Sequence, residues 1–284
     1  MTPIDQLSLG WRTDLIFPRF DAQVIARRDH LLVRTPHNPT FWWGNFLLFD
    51  RVPVDGDAAP WLAHFDAEIA SRQPESSHVA FGVDSSEPFD MPADLLDAGF
   101  TRHAGTVLTL RREQLRAPPM ALAASFRFAV LALPAQASAV VEQQVASDAG
   151  EHQPVAEYRL FRERQMQRYG AMQRAGLGGW FGVFARTGQG EQLVADCGLF
   201  RDDAGVQALG RFQFVSTHPA WRRRGLCRAL IQAVCRHGFE VMALQTLVIV
   251  ADPDDVAIGL YESLGFERGA NTWHLERRPD AARA

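Results

Sequence analysis

The chain has 284 residues, 47% of them hydrophobic and 22% charged, and a formal net charge of −4. This is the balance of a soluble globular protein with room for one large domain or two ordinary ones. The lack of a basic excess argues against nucleic acid as a partner. Cys197, Cys227 and Cys235 are odd in number and not spaced as a metal knuckle, so a reducing compartment and no metal site are expected. The start, MTPIDQLSLGWRTDLIF, lacks a basic segment followed by an apolar run. No stretch approaches the roughly 18 uninterrupted apolar residues of a spanning helix. The expectation is a cytoplasmic protein with no membrane partner.

Residues 1–30 show no clear period. His30–Thr35 and Gly44–Phe49 are predicted strands, with the aromatic cluster Phe41-Trp42-Trp43 between them as core packing or a strand edge. Trp61–Ala70 is predicted as a helix through Trp61, Leu62, Phe65 and Ile69, and His78–Val83 as a short buried strand. Asp94–Ala98 is a short helix ended by Gly99, and Gly105–Leu110 is a strand. Arg116–Ala124 has no periodicity and contains Pro118-Pro119, which places a linker there. The division expected along the chain is 1–117 and 125–284.

The second half is predicted to begin with a strand at Arg127–Leu133. Helices at Pro134–Ala146 and Val155–Ala175 follow, the latter carrying a run of arginines read as a solvated face. Strands at Trp180–Arg186 and Leu193–Arg201 are joined by Gly188-Gln189-Gly190. A strand at Leu244–Ala251, a helix at Asp254–Leu264 and a final strand pair after Gly265-Phe266 complete the chain.

Between these lies the most informative stretch, FVSTHPAWRRRGLCRAL at 214–230. Phe212, Phe214, Val215 and Thr217 are strand formers, and Pro219 ends the strand. Leu226, Leu230, Ala233, Val234 and His237 then recur at helical spacing, with Arg228, Gln232 and Arg236 facing outward. At the join, Arg222, Arg223 and Arg224 precede Gly225, Leu226 and Cys227. The first amides of a helix have no intrahelical partners and sit at a positive dipole end, and glycine lets an anion approach the backbone. The arginines add charge suited to a pyrophosphate. The plain alternative is a basic surface turn that opens a helix and binds nothing.

These residues resemble the acetyl-CoA loop of the GNAT superfamily of N-acetyltransferases, Q/R-x-x-G-x-G/A after a V-x-P strand end. Arg222 and Gly225 match it, as does Thr217-His218-Pro219; Cys227 stands where the family has Gly or Ala. The resemblance implies that Val215, Ser216 and Thr217 pair their backbone with pantetheine and that Arg222–Arg228 (with Arg223, Arg224, Gly225, Leu226, Cys227) hold the pyrophosphate. GLYESLGF looks like the family's A-x-x-x-Y-x-x-x-G-F segment, which implies Tyr261 as the acid that protonates the leaving thiolate. Asp252 either bonds the pantetheine amide or caps the following helix. The family's Glu on the strand before the loop is missing: Gln213 stands there. Asp196, Glu157, His218 and a water relay are the candidates for the base. The 29 Lys+Arg residues are all arginine, so the protein has no lysine of its own to acetylate.

The order β-α-β-α-β recurs in the first half, where VAFGVD answers LVIVAD and LDAGF answers ESLGF. There Val54-Asp55-Gly56-Asp57-Ala58-Ala59-Pro60 replaces the arginine loop, and carboxylates repel a pyrophosphate. The reading is an α/β (α+β) chain of two GNAT-like domains, each a mixed, mostly antiparallel sheet flanked by helices, in a tandem arrangement with a degenerate N-terminal copy. The function implied is transfer of an acetyl group from acetyl-CoA, as co-substrate, to a primary amine of a small molecule or peptide, by a monomer or homodimer. A non-catalytic CoA-binding sensor or interaction module, or a transferase of another acyl group, is the alternative.

Overall fold

The computed structural model describes residues 2–116, 122–148, 155–202 and 208–278. It divides into two compact units that are interleaved along the chain. Unit 1 comprises Met1–Val107, Val250–Pro253 and Gly269–Ala284; unit 2 comprises Leu108–Ile249 and Asp254–Arg268.

Helices α1 (Leu9–Asp14) and α2 (Ile16–Asp21) come first, then strands β1 (Gln23–Ala26), β2 (Leu31–Arg34) and β3 (Phe46–Phe49). Helix α3 (Ala58–Phe65), strand β4 (Val79–Val83), helix α4 (Ala93–Asp97) and strand β5 (Thr101–Arg111) follow. Next are β6 (Phe126–Leu131), α5 (Ala137–Asp148), α6 (Val155–Arg174), β7 (Gly178–Thr187), β8 (Gly190–Arg201) and β9 (Leu209–Thr217). The last elements are α7 (Leu226–Glu240), β10 (Thr246–Ala251), α8 (Ala257–Leu264) and β11 (Glu267–Arg277).

In unit 1, β1, β2 and β3 are antiparallel neighbours, β3 runs parallel to β4, and β4 pairs antiparallel with β11. Side chains alternate across a strand. Leu31, Val33, Phe46 and Leu48 therefore pack with Leu7, Trp11 and Leu15 on one face. Leu32, Leu47, Phe49 and Phe81 pack with Trp61, Phe65, Ile69, Trp273 and Leu275 on the other. Both faces are covered, which is why these strands read as continuous apolar runs rather than alternating ones. Residues 1–30, unreadable as sequence, supply α1 and α2, and Trp11 of α1 donates to the carbonyl of Val83 at 3.1 Å. The predicted Trp61–Ala70 helix is α3 continued by a wider turn over Asp66–Ala70.

The strand pair expected after Phe266 is one long strand, β11, and its greater part belongs to unit 1. A division at 117–125 thus follows chain order, whereas the compact units exchange segments; Pro118-Pro119 lie outside the described residues.

In unit 2, β6, β7, β8 and β9 are successive antiparallel neighbours, and β9 runs parallel to β10. Asp196 of β8 faces α5, where Gln144 donates to it, while its neighbour Cys197 faces the side of Cys227 and Cys235 on α7. Helices thus cover both faces of this sheet. Helix α7 buries Leu226, Leu230 and Val234 as its period requires, but Gln232, expected outside, is buried as well. The arginine run of α6 is likewise not a wholly solvated face: Arg162 and Arg168 are 7% and 5% exposed. Each unit is a mixed sheet flanked by helices, and no described helix is long and apolar enough to cross a membrane.

Candidate active site

The site of interest in unit 2 begins with an irregularity in β9. The β8–β9 register shifts between Asp196 and Gly198, and Phe214 has φ +43°. An extra residue in one strand flips the side chains that follow it to the other face. Phe212 accordingly packs toward Phe266, whereas Ser216, four residues on, faces α5 and accepts from Gln143 Nε2 at 3.0 Å. On the other side, parallel pairing of β9 with β10 is confined to Leu209–Arg211. Among the described residues, Phe212–Thr217 have no ladder partner on β10, so this edge of β9 is open in a splay of the sheet.

Val215 and Thr217 are half-buried and Ser216 is buried. Beyond them the chain turns through Pro219–Trp221 into the arginine loop, where Arg222, Arg223, Arg224 and Gly225 are exposed. Gly225 has φ +74° and immediately precedes α7, a left-handed conformation that glycine adopts without a Cβ penalty. Arg222 Nε donates to the carbonyl of Thr217 at 3.2 Å, and Arg224 lies over the Trp221 ring at 4.7 Å. Leu226 is buried under the first turn of α7, with Cys227 and Arg228 half-buried beside it. The first amides of α7 therefore open onto an exposed loop that carries three arginines.

Arg228 donates to the Ser263 hydroxyl, which ties α7 to α8, the helix of Tyr261. Tyr261 is 4% exposed, and burial pushes its phenol far above its ordinary value, with Asp255 acting in the same direction. Burial also raises the Cys227 thiol, to about 11, so this cysteine is a neutral neighbour. Asp255, not Asp252, accepts the amide of Ala257 that opens α8. Asp252 is exposed and belongs to the short segment assigned to unit 1.

The candidate bases separate cleanly. Glu157 is exposed on α6. Gln213 accepts from the Tyr169 hydroxyl at 3.2 Å, and His218 Nδ1 accepts the Ala220 amide at 3.2 Å. Asp196 is fully buried: Ser216 Oγ donates to Oδ1 at 2.6 Å, and Trp180 Nε1 and Gln144 Nε2 donate to Oδ2 at 2.8 and 3.2 Å. Burial raises its carboxyl to about 6, with these three donors and the positive charge of Arg162 pulling the other way. Gln143, the partner of Ser216, also lines a cleft of about 560 Å³ between α5 and the β7–β8 hairpin. The segment 149–154 between α5 and α6 lies outside the described residues. In the sequence Asp196 stands as one candidate among several. The available signal was a carboxylate inside the apolar run of a strand covered on both faces.

Unit 1 has the same strand–helix–parallel strand order in β3, α3 and β4, but its loop is filled differently. Asp94 Oδ2 accepts the amides of Gly56 and Ala58, each at 2.9 Å, and Asp55 accepts that of Ala93 at 2.9 Å. Asp57 is paired with Arg51 at 2.6 Å. A protein carboxylate thus occupies the amides where an anion would dock in unit 2. Elsewhere in unit 1 the fold brings Asp29, His30 and His64 together with ligand atoms within 4.8 Å, a grouping that residue spacing did not reveal.

A strand edge opened by a bulge thus leads into a glycine-kinked arginine loop at a helix start. Residues 144–266 match the model of the Acetyltransferase (GNAT) family. Similar solved structures include a functionally unknown conserved protein from Staphylococcus epidermidis, at 13% identity and TM-score 0.68, covering 92% of this chain and 95% of that one. A GCN5-related N-acetyltransferase from Kribbella flavida is 18% identical with TM-score 0.58, covering 93% of each chain. A tandem GNAT protein from the clavulanic acid biosynthesis pathway is 14% identical with TM-score 0.57, covering 96% and 92%. At these identities the likeness is one of fold. No curated protein matches the chain.

Proposed function

We propose that unit 2 transfers an acetyl group from acetyl-CoA to a primary amine of a small molecule or peptide. The observation that carries this reading is the continuity of the open β9 edge at Val215–Thr217 with the arginine loop and the first turn of α7. The strand edge supplies backbone partners for pantetheine, and the loop supplies amides and guanidinium groups for the pyrophosphate. An N–H on the splayed edge polarises the thioester carbonyl.

The amine nitrogen attacks the carbonyl carbon and the C–S bond breaks. The proton lost by nitrogen passes through the Ser216 hydroxyl to Asp196, whose raised pKa of about 6 keeps it a carboxylate at neutral pH yet a usable proton acceptor. Tyr261 gives its proton to the departing thiolate. Its burial keeps the phenol protonated until that charge forms, and solvent later restores the proton.

Unit 1 is a degenerate copy in this reading, because Asp94 already satisfies the amides of its loop and a second carboxylate, Asp57, stands beside them. The direct test follows CoA release from acetyl-CoA across a panel of primary amines. Acetyl-CoA binding without release for any amine would favour a CoA-binding sensor instead, and release from a longer acyl-CoA alone would move the assignment to another acyl group.

A further inference from the structure

Arg162 of α6 holds a positive charge almost out of water, 7% exposed, and among the described residues no carboxylate is in ion-pair reach of it. Its guanidinium Nε and Nη2 both donate to the Tyr158 hydroxyl at 2.9 Å, and Nη1 donates to Gln165 Oε1 at 2.7 Å. Both partners sit on the same helix, four residues before it and three after. These bonds aim the guanidinium; they do not brace α6 to the sheet. Its Cζ also lies over the Phe214 ring, 3.6 Å from the centroid, at the bulge that opens the edge of β9.

A guanidinium has five N–H donors, and three are used here, which leaves one on each of Nη1 and Nη2. A buried charge with no carboxylate in direct contact is costly, and a ligand carboxylate placed against it would offset that cost. Two adjacent N–H groups fit the two oxygens of a planar carboxylate. Beside it the polarity is reversed. Among the described residues the buried Gln143 Oε1 and Gln144 Oε1 have no donor, and the Asp196 carboxylate is close enough for Arg162 to bear on its ionisation. Arg162 thus offers N–H donors to an anion, and the two glutamine oxygens offer acceptors to N–H groups.

We propose that the acceptor is a primary amine that also carries a carboxylate, an amino acid or a close analogue, with the carboxylate on Arg162 and the amine directed to the Ser216–Asp196 side. The proposal rests on the acetyl-transfer reading above, and makes Arg162 a specificity residue for it.

The test compares each standard L-amino acid, and β-alanine, with its own carboxamide. CoA release is measured, together with calorimetric binding to the full chain preloaded with CoA. The acids should be favoured over the amides roughly 10²-fold in kcat/KM, mainly through KM, since the amide leaves the buried cation unpaired. In Arg162→Gln this ratio should fall to near one. In Arg162→Lys, which keeps the charge without the fork, it should lie between the two. Equal use or equal binding of acids and amides by the wild-type chain, no binding of either, or an equal loss for both in the variants overturns the proposal. Should Arg162→Gln fail to melt cooperatively, the lysine variant decides. Acetyl-CoA binding measured without any acceptor tests the parent reading separately, because the acid preference in calorimetry does not depend on turnover.

Discussion

Ser216 Oγ and Asp196 Oδ1 are 2.6 Å apart, a short hydrogen bond from a residue after the β9 bulge to a fully buried carboxylate on β8. The bond exists because the bulge turns Ser216 to the face of α5. Its carboxyl partner has a folded-state pKa of about 6 against an ordinary 3.8. The folded state therefore binds the proton more tightly than the unfolded chain does. Stability is greatest below about pH 4 for this group and falls by about 3 kcal/mol as pH rises through 6. Asp196→Asn should abolish that slope and melt no lower than the wild type at pH 7.5, while acetyl transfer drops. Thermal melts between pH 4.5 and 7.5 check this. A wild-type slope retained in the variant would reassign the shift to another group.

His78 in unit 1 gives the opposite slope. It is 1% exposed, its Nε2 lies 3.0 Å from the carbonyl of Asn45, and burial lowers its pKa to about 4. The unfolded chain binds this proton more readily, so stability falls as pH drops from 6.5 toward 4, by about 3 kcal/mol in all. His78→Gln should flatten that acid-side loss. Because His78 and Asp196 act with opposite sign in different units, the two variants should tilt the pH–stability curve in opposite directions.

Calorimetry should count one acetyl-CoA per chain. Gly225→Glu should abolish binding, since it sets a carboxylate on the anion site and forces a side chain onto φ +74°. Two equivalent sites would contradict the filling of the unit 1 loop by Asp94.

Tyr261→Phe should leave acetyl-CoA affinity nearly unchanged and lower turnover by about 10² to 10⁴. Because burial pushes the phenol far up, the wild-type rate should show no alkaline loss from Tyr261 below its ordinary pKa of about 10. A variant that turns over normally would mean the thiolate takes its proton from water. A variant that loses folding would make Tyr261 a packing residue.

What could be read from the sequence was what neighbouring residues decide. The change from strand to helix between Thr217 and Leu226, the glycine before α7 and the glycines that end α4 and α8 are local backbone requirements. They appear in the structure with Gly99 and Gly265 at φ +83° and +105°. What escaped was set by tertiary contacts. Gln232 and Arg162 look like surface positions on a helical wheel, yet they are buried because another element covers that face. The contact of Asp196 with Ser216 depends on a bulge in the next strand. The carboxylate that fills the unit 1 loop comes not from that loop alone but also from Asp94, on a different helix. Pairing of β11 with β4 has no local signature at all.

That pairing sets an order of assembly. Trp273 lies opposite Val83, although every residue of unit 2 is encoded between them. During synthesis unit 2 is complete while β4 still waits for its neighbour, and an apolar strand with an unpaired edge is a template for wrong partners. The unit made first is thus the unit closed last. A proteolytic nick between Arg268 and Gly269 would strip a strand from the domain farther away along the chain, leaving the nearer one its full set of β9, α7 and α8.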